Sequence, residues 1–187
     1  MLWKASGLTF FELLITLSRL SIMLTLSMPN CRDLSQSVRG DMTLRKLANA
    51  IQFSKSAAIT NGATVTLCRS LDGINCSGDW HDGILVFTDS NRNRLIDDSD
   101  SLLRHITFPE SSGSIRFRAF QNKQYLQLTS LGTTHSQNGN FTYCPSDGEE
   151  RFARQLIINR TARIRFAQDN DGDGYREDSR GRQLNCE

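Results

Sequence analysis

Lysine is scarce in this 187-residue chain: of its 22 cationic side chains only Lys4, Lys46, Lys55 and Lys123 are lysines, and the rest are arginines. Arginine's planar fork favours bidentate contact with phosphate or carboxylate, where lysine acts as a point charge. Histidine is scarcer still. His81, His105 and His135 stand in no metal-ligand or triad pattern. With no G-x-S-x-G elbow and no glycine-rich phosphate loop either, the sequence supports no catalytic role. No C-x-x-C pair occurs among the five cysteines, which argues against a zinc site or a thioredoxin-like motif. Internal repeats, linkers and long low-complexity runs are missing too, so the length fits one domain of ordinary size plus an appended element. The hydrophobic fraction of 38% and charged fraction of 22%, with a formal charge of +2, are those of a folded protein.

The cysteines read as disulfide partners. Cys68 and Cys76 bracket a short loop of Gly, Asn, Ser and Asp, while Cys144 and Cys186 would close the C-terminal segment into one long loop. Those pairings imply an oxidising compartment such as the periplasm and leave Cys31 over. Sequence order alone does not fix the connectivity.

After a leader with one cation, Lys4, apolar residues dominate from Leu8 to Met28. As a helix this stretch is roughly 30 Å long, enough to cross a bilayer core. A cleaved secretory signal would carry a small-residue site after the apolar run and no carboxylate within it, and Glu12 sits inside. The segment Gly7-Leu8-Thr9-Phe10-Phe11-Glu12 instead resembles the processing site of the type IV pilin and pseudopilin family. The resemblance implies that a prepilin peptidase cuts after Gly7 and methylates the new amine. Leu8, where phenylalanine is usual, becomes the first mature residue and Glu12 the fifth. Pro29 falls where family members kink their long helix. An intramembrane carboxylate needs a partner, and the free amine of a neighbouring subunit supplies one during fibre assembly. Arg19, inside the same run, costs on the order of 3 kcal/mol on insertion scales. It lies seven residues after Glu12 on the same helical face, where the two charges offset each other. The expected organisation is a leader over 1–7, a membrane and assembly helix over 8–28 and a periplasmic head over 29–187.

Within the head, Leu34, Val38, Leu44, Leu47, Ala48, Ile51 and Ala58 recur mostly at three- and four-residue spacings. This predicts an amphipathic helix over 30–61 that ends at Asn61-Gly62. From there the period changes to two. Short strands are expected over 64–69, 84–89, 102–108, 114–120, 125–128, 140–144, 155–159 and 163–167, separated by Gly, Asn, Asp and Ser clusters. The fold class is therefore α+β, a long kinked N-terminal helix packed on an antiparallel β-sheet head over 62–187. The head resembles the FimT/GspH-like minor pilins through C-R-S-x-D-G at 68–73 with Cys76, D-G-I-L-V-F-T-D at 82–89, Asn91 and Asn93, and Gly139-Asn140-Phe141 before Cys144.

One segment is rich in cations. In N-R-T-A-R-I-R-F at 159–166, Arg160 falls in a hairpin turn, while Arg163 and Arg165 alternate with Ile164 and Phe166. The two then emerge on one strand face about 7 Å apart. That repeat approximates the phosphate spacing along a nucleic-acid strand and suits sequence-independent, salt-sensitive binding of double-stranded DNA, the alternative being a solvated strand face. DNA-binding members of the resembled family carry G-R-x-R here. Arg163 and Arg165 match its arginines, and Ala162 replaces its glycine. Arg180 and Arg182 extend the patch if a Cys144–Cys186 bridge folds the tail back. Arg116 and Arg118 form a similar comb that reads as a solvated face.

Two acidic loops complete the inventory. Asp169, Asp171 and Asp173 open like an EF-hand calcium loop, but Arg180 holds the twelfth position where glutamate belongs. Either Glu177 or Asp178 substitutes and the loop takes calcium, or it is a polar turn and no cofactor is bound. The loop at 89–93 reads as structural, because Arg94 brings a cation to it. The sequence thus points to a non-enzymatic minor pilin, single-pass in the inner membrane and then part of a pilus. Other pilins, the prepilin peptidase and DNA taken up in natural transformation are its expected partners. A structural pilin, a GspH-like type II secretion pseudopilin and a calcium-stabilised adhesin are the alternatives.

Overall fold

The computed structural model describes residues 9–109 and 113–186, with only the backbone described over 26–30. Gly7 and Leu8 lie outside the described residues. The chain begins with one helix, α1 (Phe10–Asn61). It divides into two units, Met1–Ser37 and Val38–Glu187.

In the first unit Thr9 caps the helix. Its backbone N–H and hydroxyl donate to Glu12 Oε2 at 2.9 and 3.0 Å, and Glu12 N–H returns a bond to Thr9 Oγ1 at 3.3 Å. This is a capping box, so Glu12 has a local role in starting the helix. The hydroxyls of Thr16, Ser18, Ser21 and Thr25 donate to carbonyls one turn back at 2.8–2.9 Å, which lowers the cost of placing them in an apolar medium. Phe10 is 76% exposed, and Phe11, Leu17, Leu20, Ile22, Met23 and Leu24 are also exposed. Among the described residues no helix is long and apolar enough to cross a membrane. Leu8 and the side chains at 26–30, the two ends of the expected 8–28 segment, are not among them.

In the second unit Leu44, Leu47, Ala50, Ile51 and Ala58 form the buried stripe of α1, the three-to-four spacing read from sequence. The helix stops as expected: Gly62 takes φ +63°, a left-handed conformation that closes a helix end at little cost to glycine. Eight strands follow: β1 (Val65–Arg69), β2 (Gly83–Thr88), β3 (Leu102–Thr107), β4 (Ser114–Ala119), β5 (Tyr125–Leu128), β6 (Gly139–Cys144), β7 (Arg154–Ile158) and β8 (Ile164–Phe166). Each lies within a residue or two of its expected place. The head is built of antiparallel sheet, as expected. The strands form two antiparallel four-stranded sheets, β3-β2-β1-β5 and β4-β6-β7-β8. One core joins the helix stripe to Val65, Leu67, Ile84, Val86 and Leu126 of the first sheet and to Phe117, Phe141, Leu156 and Ile158 of the second. At Gly40 a Cβ would stand 3.0 Å from both Tyr143 Cε1 and Arg154 Cγ, so glycine lets the helix approach the second sheet. Nearby Asp41 holds the buried Arg154 at 2.9 Å.

Strands β1 and β2 are buried almost throughout. Their second face is covered at Cys68, Leu85 and Phe87, beside the loop that the Cys68–Cys76 disulfide closes. A polar knot ties the first sheet internally. The fully buried Asp89 accepts from Thr66 Oγ1, from Gln127 Nε2 at 3.0 Å and from Arg94 N–H at 3.2 Å.

The loop after β2 is closed by its own side chains. Asn91 and Asn93 donate to Asp97 Oδ2 at 2.8 and 3.2 Å, and the Ser99 hydroxyl and N–H donate to its Oδ1 at 2.6 and 3.0 Å. The Ser99 hydroxyl, then its N–H and Asn91, lower the Asp97 carboxyl from 3.8 to about 2. A depressed folded-state pKa contributes stability that is full above 3.8 and lost as pH falls toward 2. The Asp97→Asn variant should therefore show a shallower loss of melting temperature than wild type between pH 4 and pH 2 in thermal scans.

Candidate nucleic-acid interface on the second sheet

The β7–β8 hairpin carries the arginine segment. At its turn Asn159 Oδ1 accepts from Thr161 N–H at 3.1 Å, the Thr161 hydroxyl at 2.8 Å and Arg163 N–H at 2.9 Å. Ala162 N–H closes the turn onto Asn159 O at 3.0 Å. Ala162 takes φ +53° and is 1% exposed. The turn that glycine would make with ease is thus made by alanine, whose methyl is buried in the core. Thr134 N–H and hydroxyl donate to Arg160 O at 2.9 and 3.1 Å, anchoring the turn from the 133–137 loop.

The side chains of Arg160, Arg163 and Arg165 are exposed, and none forms an ion pair among the described residues. Strand β8 begins at Ile164, so Arg163 immediately precedes it. Ile164 packs against the core beside its partner Ile158. Arg165 pairs with Ile157 and lies on the opposite, outer face. Both comb arginines are exposed, Arg165 on the outer face of the strand and Arg163 in the turn just before it.

The tail is folded back by the Cys144–Cys186 disulfide, and Cys31 remains a free, exposed thiol. Ala167 N–H bonds Gln155 O at 2.8 Å, Leu184 N–H bonds Arg176 O at 2.9 Å, and Leu184 is buried with Ala153 and Ala167. Arg176 also reaches Asp41 at 3.5 Å, which ties the tail to the helix. Arg180 is exposed, but Arg182 is engaged by Asp178 through Nε at 3.1 Å and Nη2 at 2.7 Å. The charge of Arg182 is therefore largely compensated. It lines a cavity of about 350 Å³ together with Arg116 and Arg118, so the tail joins the β4 margin of the sheet.

In the acidic loop Asp169, Asp171, Asp173 and Glu177 each bring one carboxylate oxygen within 4.8 Å of the others. The loop also closes on itself. Asp169 accepts from Gly172 and Gly174 N–H at 2.7 and 2.9 Å, Asp173 from Tyr175 N–H at 2.8 Å, and Glu177 from Asn170 N–H at 2.8 Å. Of the two sequence candidates for the missing glutamate, Glu177 joins the cluster and Asp178 is turned to Arg182.

The profile of the family described as Type II transport protein GspH matches residues 43–162. The chain belongs to the GspH family. It is a minor pilin or pseudopilin of the GspH/FimT-like kind, a family whose members associate with other pilins in a fibre of the cell envelope. The match includes Arg160 and ends before Arg163 and Arg165. Among solved structures the GspH-type head is similar to the type IV minor pilin FimU of Pseudomonas aeruginosa PAO1, at 17% identity and a TM-score of 0.52, over 69% of this chain and 88% of that one. It is also similar to the minor pseudopilin EpsH of the Vibrio cholerae type 2 secretion system, at 10% identity and 0.50, over 71% and 99%. At these identities the likeness is one of fold. No curated protein sequence matches the chain.

Proposed function

We propose that this minor pilin captures double-stranded DNA, without sequence preference, for uptake in natural transformation. The carrying observation is the row of exposed arginines on the β7–β8 hairpin: Arg160, Arg163 and Arg165 project to solvent with no ion-pair partner among the described residues. Arg180 adds charge from the tail, while the charge of Arg182 is largely offset by Asp178. Contacts of this kind neutralise phosphates and read no bases. Weak binding by single subunits suffices, because repetition along a fibre raises the effective concentration.

In the same reading the chain is inserted in the inner membrane through 8–28 with its head in the periplasm. It is cut after Gly7 by the prepilin peptidase and enters the fibre with Glu12 paired to a neighbour's amine. The exposed apolar side chains of the first helical unit support this, since such a surface is covered in a functional state by lipid or by other subunits. The fold likeness to EpsH favours a second reading, a secretion pseudopilin whose arginines contact neighbouring subunits.

One experiment separates them. DNA binding by the full chain in mild detergent, followed by fluorescence anisotropy over a salt series, should show equal affinity for unrelated duplexes. The triple variant Arg160→Gln, Arg163→Gln, Arg165→Gln should bind more weakly, with a log–log salt slope shallower by about 2.7, at roughly 0.9 for each phosphate no longer neutralised. Equal binding by wild type and variant, or none near physiological salt, supports the pseudopilin reading.

A further inference from the structure

The pairing register of the second sheet places Arg116 and Arg118 on the same face as Arg165. Arg118 pairs with Asn140, Asn140 with Ile157, and Ile157 with Arg165. Directly opposed residues share a face, so these four form one row across the outer side of the sheet. Arg118 and Arg165 stand at its two ends, three strand spacings or about 14 Å apart. The neighbouring row runs Arg116, Thr142, Gln155. Between the two arginine margins the strand positions are uncharged: Thr142 and Gln155 are buried beside the tail, while Asn140 and Ile157, in the row between Arg118 and Arg165, are half-buried. Asp178, the one carboxylate lining the cavity at the β4 margin, is already held by Arg182.

We propose that Arg116 and Arg118 form a second phosphate-contacting margin, so that a DNA duplex lies along the Arg118–Arg165 row with one backbone on β8 and the other on β4. The inference rests on the DNA-binding reading of the β8 hairpin and extends it to both sides of the sheet. The separation of the margins is comparable to the roughly 12 Å width of the major groove of B-DNA, and long arginine side chains cover the difference. Charge supports the same reading. Burial, and then repulsion from Arg118, lower the pKa of the Arg116 guanidinium, and a phosphate between the two relieves that repulsion. Arg116 is fixed in place by donating to Asn185 O at 3.2 Å, on the segment that the Cys144–Cys186 disulfide holds down, whereas Arg118 is exposed. The cavity they share with Arg182 is large enough for a phosphate and its flanking sugar.

The test uses the full chain in mild detergent, with a short duplex of arbitrary sequence and one of its single strands as probes. Arg118→Gln changes an exposed residue and should leave the melting temperature unchanged while making the duplex salt slope shallower by about 0.9. Arg118→Lys, which keeps the charge, should retain the wild-type slope. Arg116→Gln with Arg118→Gln should lower the slope by about 1.8, and duplex affinity should fall several-fold more than single-strand affinity, because only a duplex presents a second backbone. If the β4 variants bind the duplex like wild type while the β8 triple variant does not, this inference is overturned and the hairpin reading stands. If neither set of variants changes binding, both fail. Equal weakening for duplex and single strand overturns the two-backbone arrangement.

Discussion

Replacing Cys144 and Cys186 by serine should lower the stability of the head by about 4 kcal/mol, the loop-entropy value for a cross-link spanning 42 residues. For a unit of this size that corresponds to a drop in melting temperature of roughly 10 °C, measurable by thermal scans with and without reductant. The same change bears on the interface. The bridge ties the end of β6 to the tail, and the tail supplies Leu184, buried against Ala153 and Ala167, and Arg182, which lines the cavity with Arg116 and Arg118. Released from it, the tail keeps its ties through Arg176 to Asp41 and to Ala167 O at 3.1 Å, and the hairpin turn at 159–163 keeps its own bonds. The double-serine protein should therefore still bind DNA through Arg160, Arg163 and Arg165 below its lowered melting point. Loss of all DNA binding in a folded double-serine protein would show that the tail, rather than the hairpin, carries the interaction. An unchanged melting temperature would mean that the bridge constrains the unfolded chain less than its length implies.

The Phe141→Ala variant should lose about 3–5 kcal/mol, the range for removing a fully enclosed aromatic ring. Phe141 is fully buried and stacks on Phe117 with ring centroids 4.1 Å apart, and Trp80 meets it edge-on at 4.9 Å. It therefore links β4, β6 and the loop before β2. The cavity left by the ring cannot collapse easily, because Phe117 and Trp80 also meet each other at 5.4 Å and the sheet backbone on either side is paired. Phe141→Leu should cost markedly less, since it restores much of the volume. Chemical denaturation that gave the two variants equal midpoints would show that the ring is not packed as described. Because β6 lies between the two arginine margins, loss of its central anchor should also reduce duplex binding more than the melting shift alone accounts for.

Much of this molecule is legible in local sequence. The change of apolar period from three-to-four to two at Gly62 separates helix from strands, since burying one face imposes those periods on the chain. Strand ends are legible because Gly, Asn, Asp and Ser clusters make the turns. The Cys68–Cys76 pairing is legible because the two residues bracket a loop short enough to hold them together. Membership of the GspH family follows from motifs spread in order along the head. The outward placement of Arg165 needs only strand alternation.

What stays hidden depends on partners far apart in sequence. No periodicity says that β5 pairs with β1 and β4 with β6, so the division of the strands into two sheets is not legible in the sequence. The Asp89 knot joins Thr66, Arg94 and Gln127, and the Asp41–Arg154 pair spans 113 positions. Arg116 and Arg118 look like an ordinary solvated strand because their relation to Arg165 exists only through the register of three intervening pairings. Likewise the readiness of Ala162 to adopt a glycine-like turn comes from its burial and from the Asn159 side chain that organises the loop. The sequence by itself determined the elements, the helix end and the identity of the charged side chains, because backbone propensity and one-face burial act over a few residues. Only the tertiary structure decided which strands adjoin and therefore which arginines share a face, because cross-strand pairing is selected by the packing of the whole core.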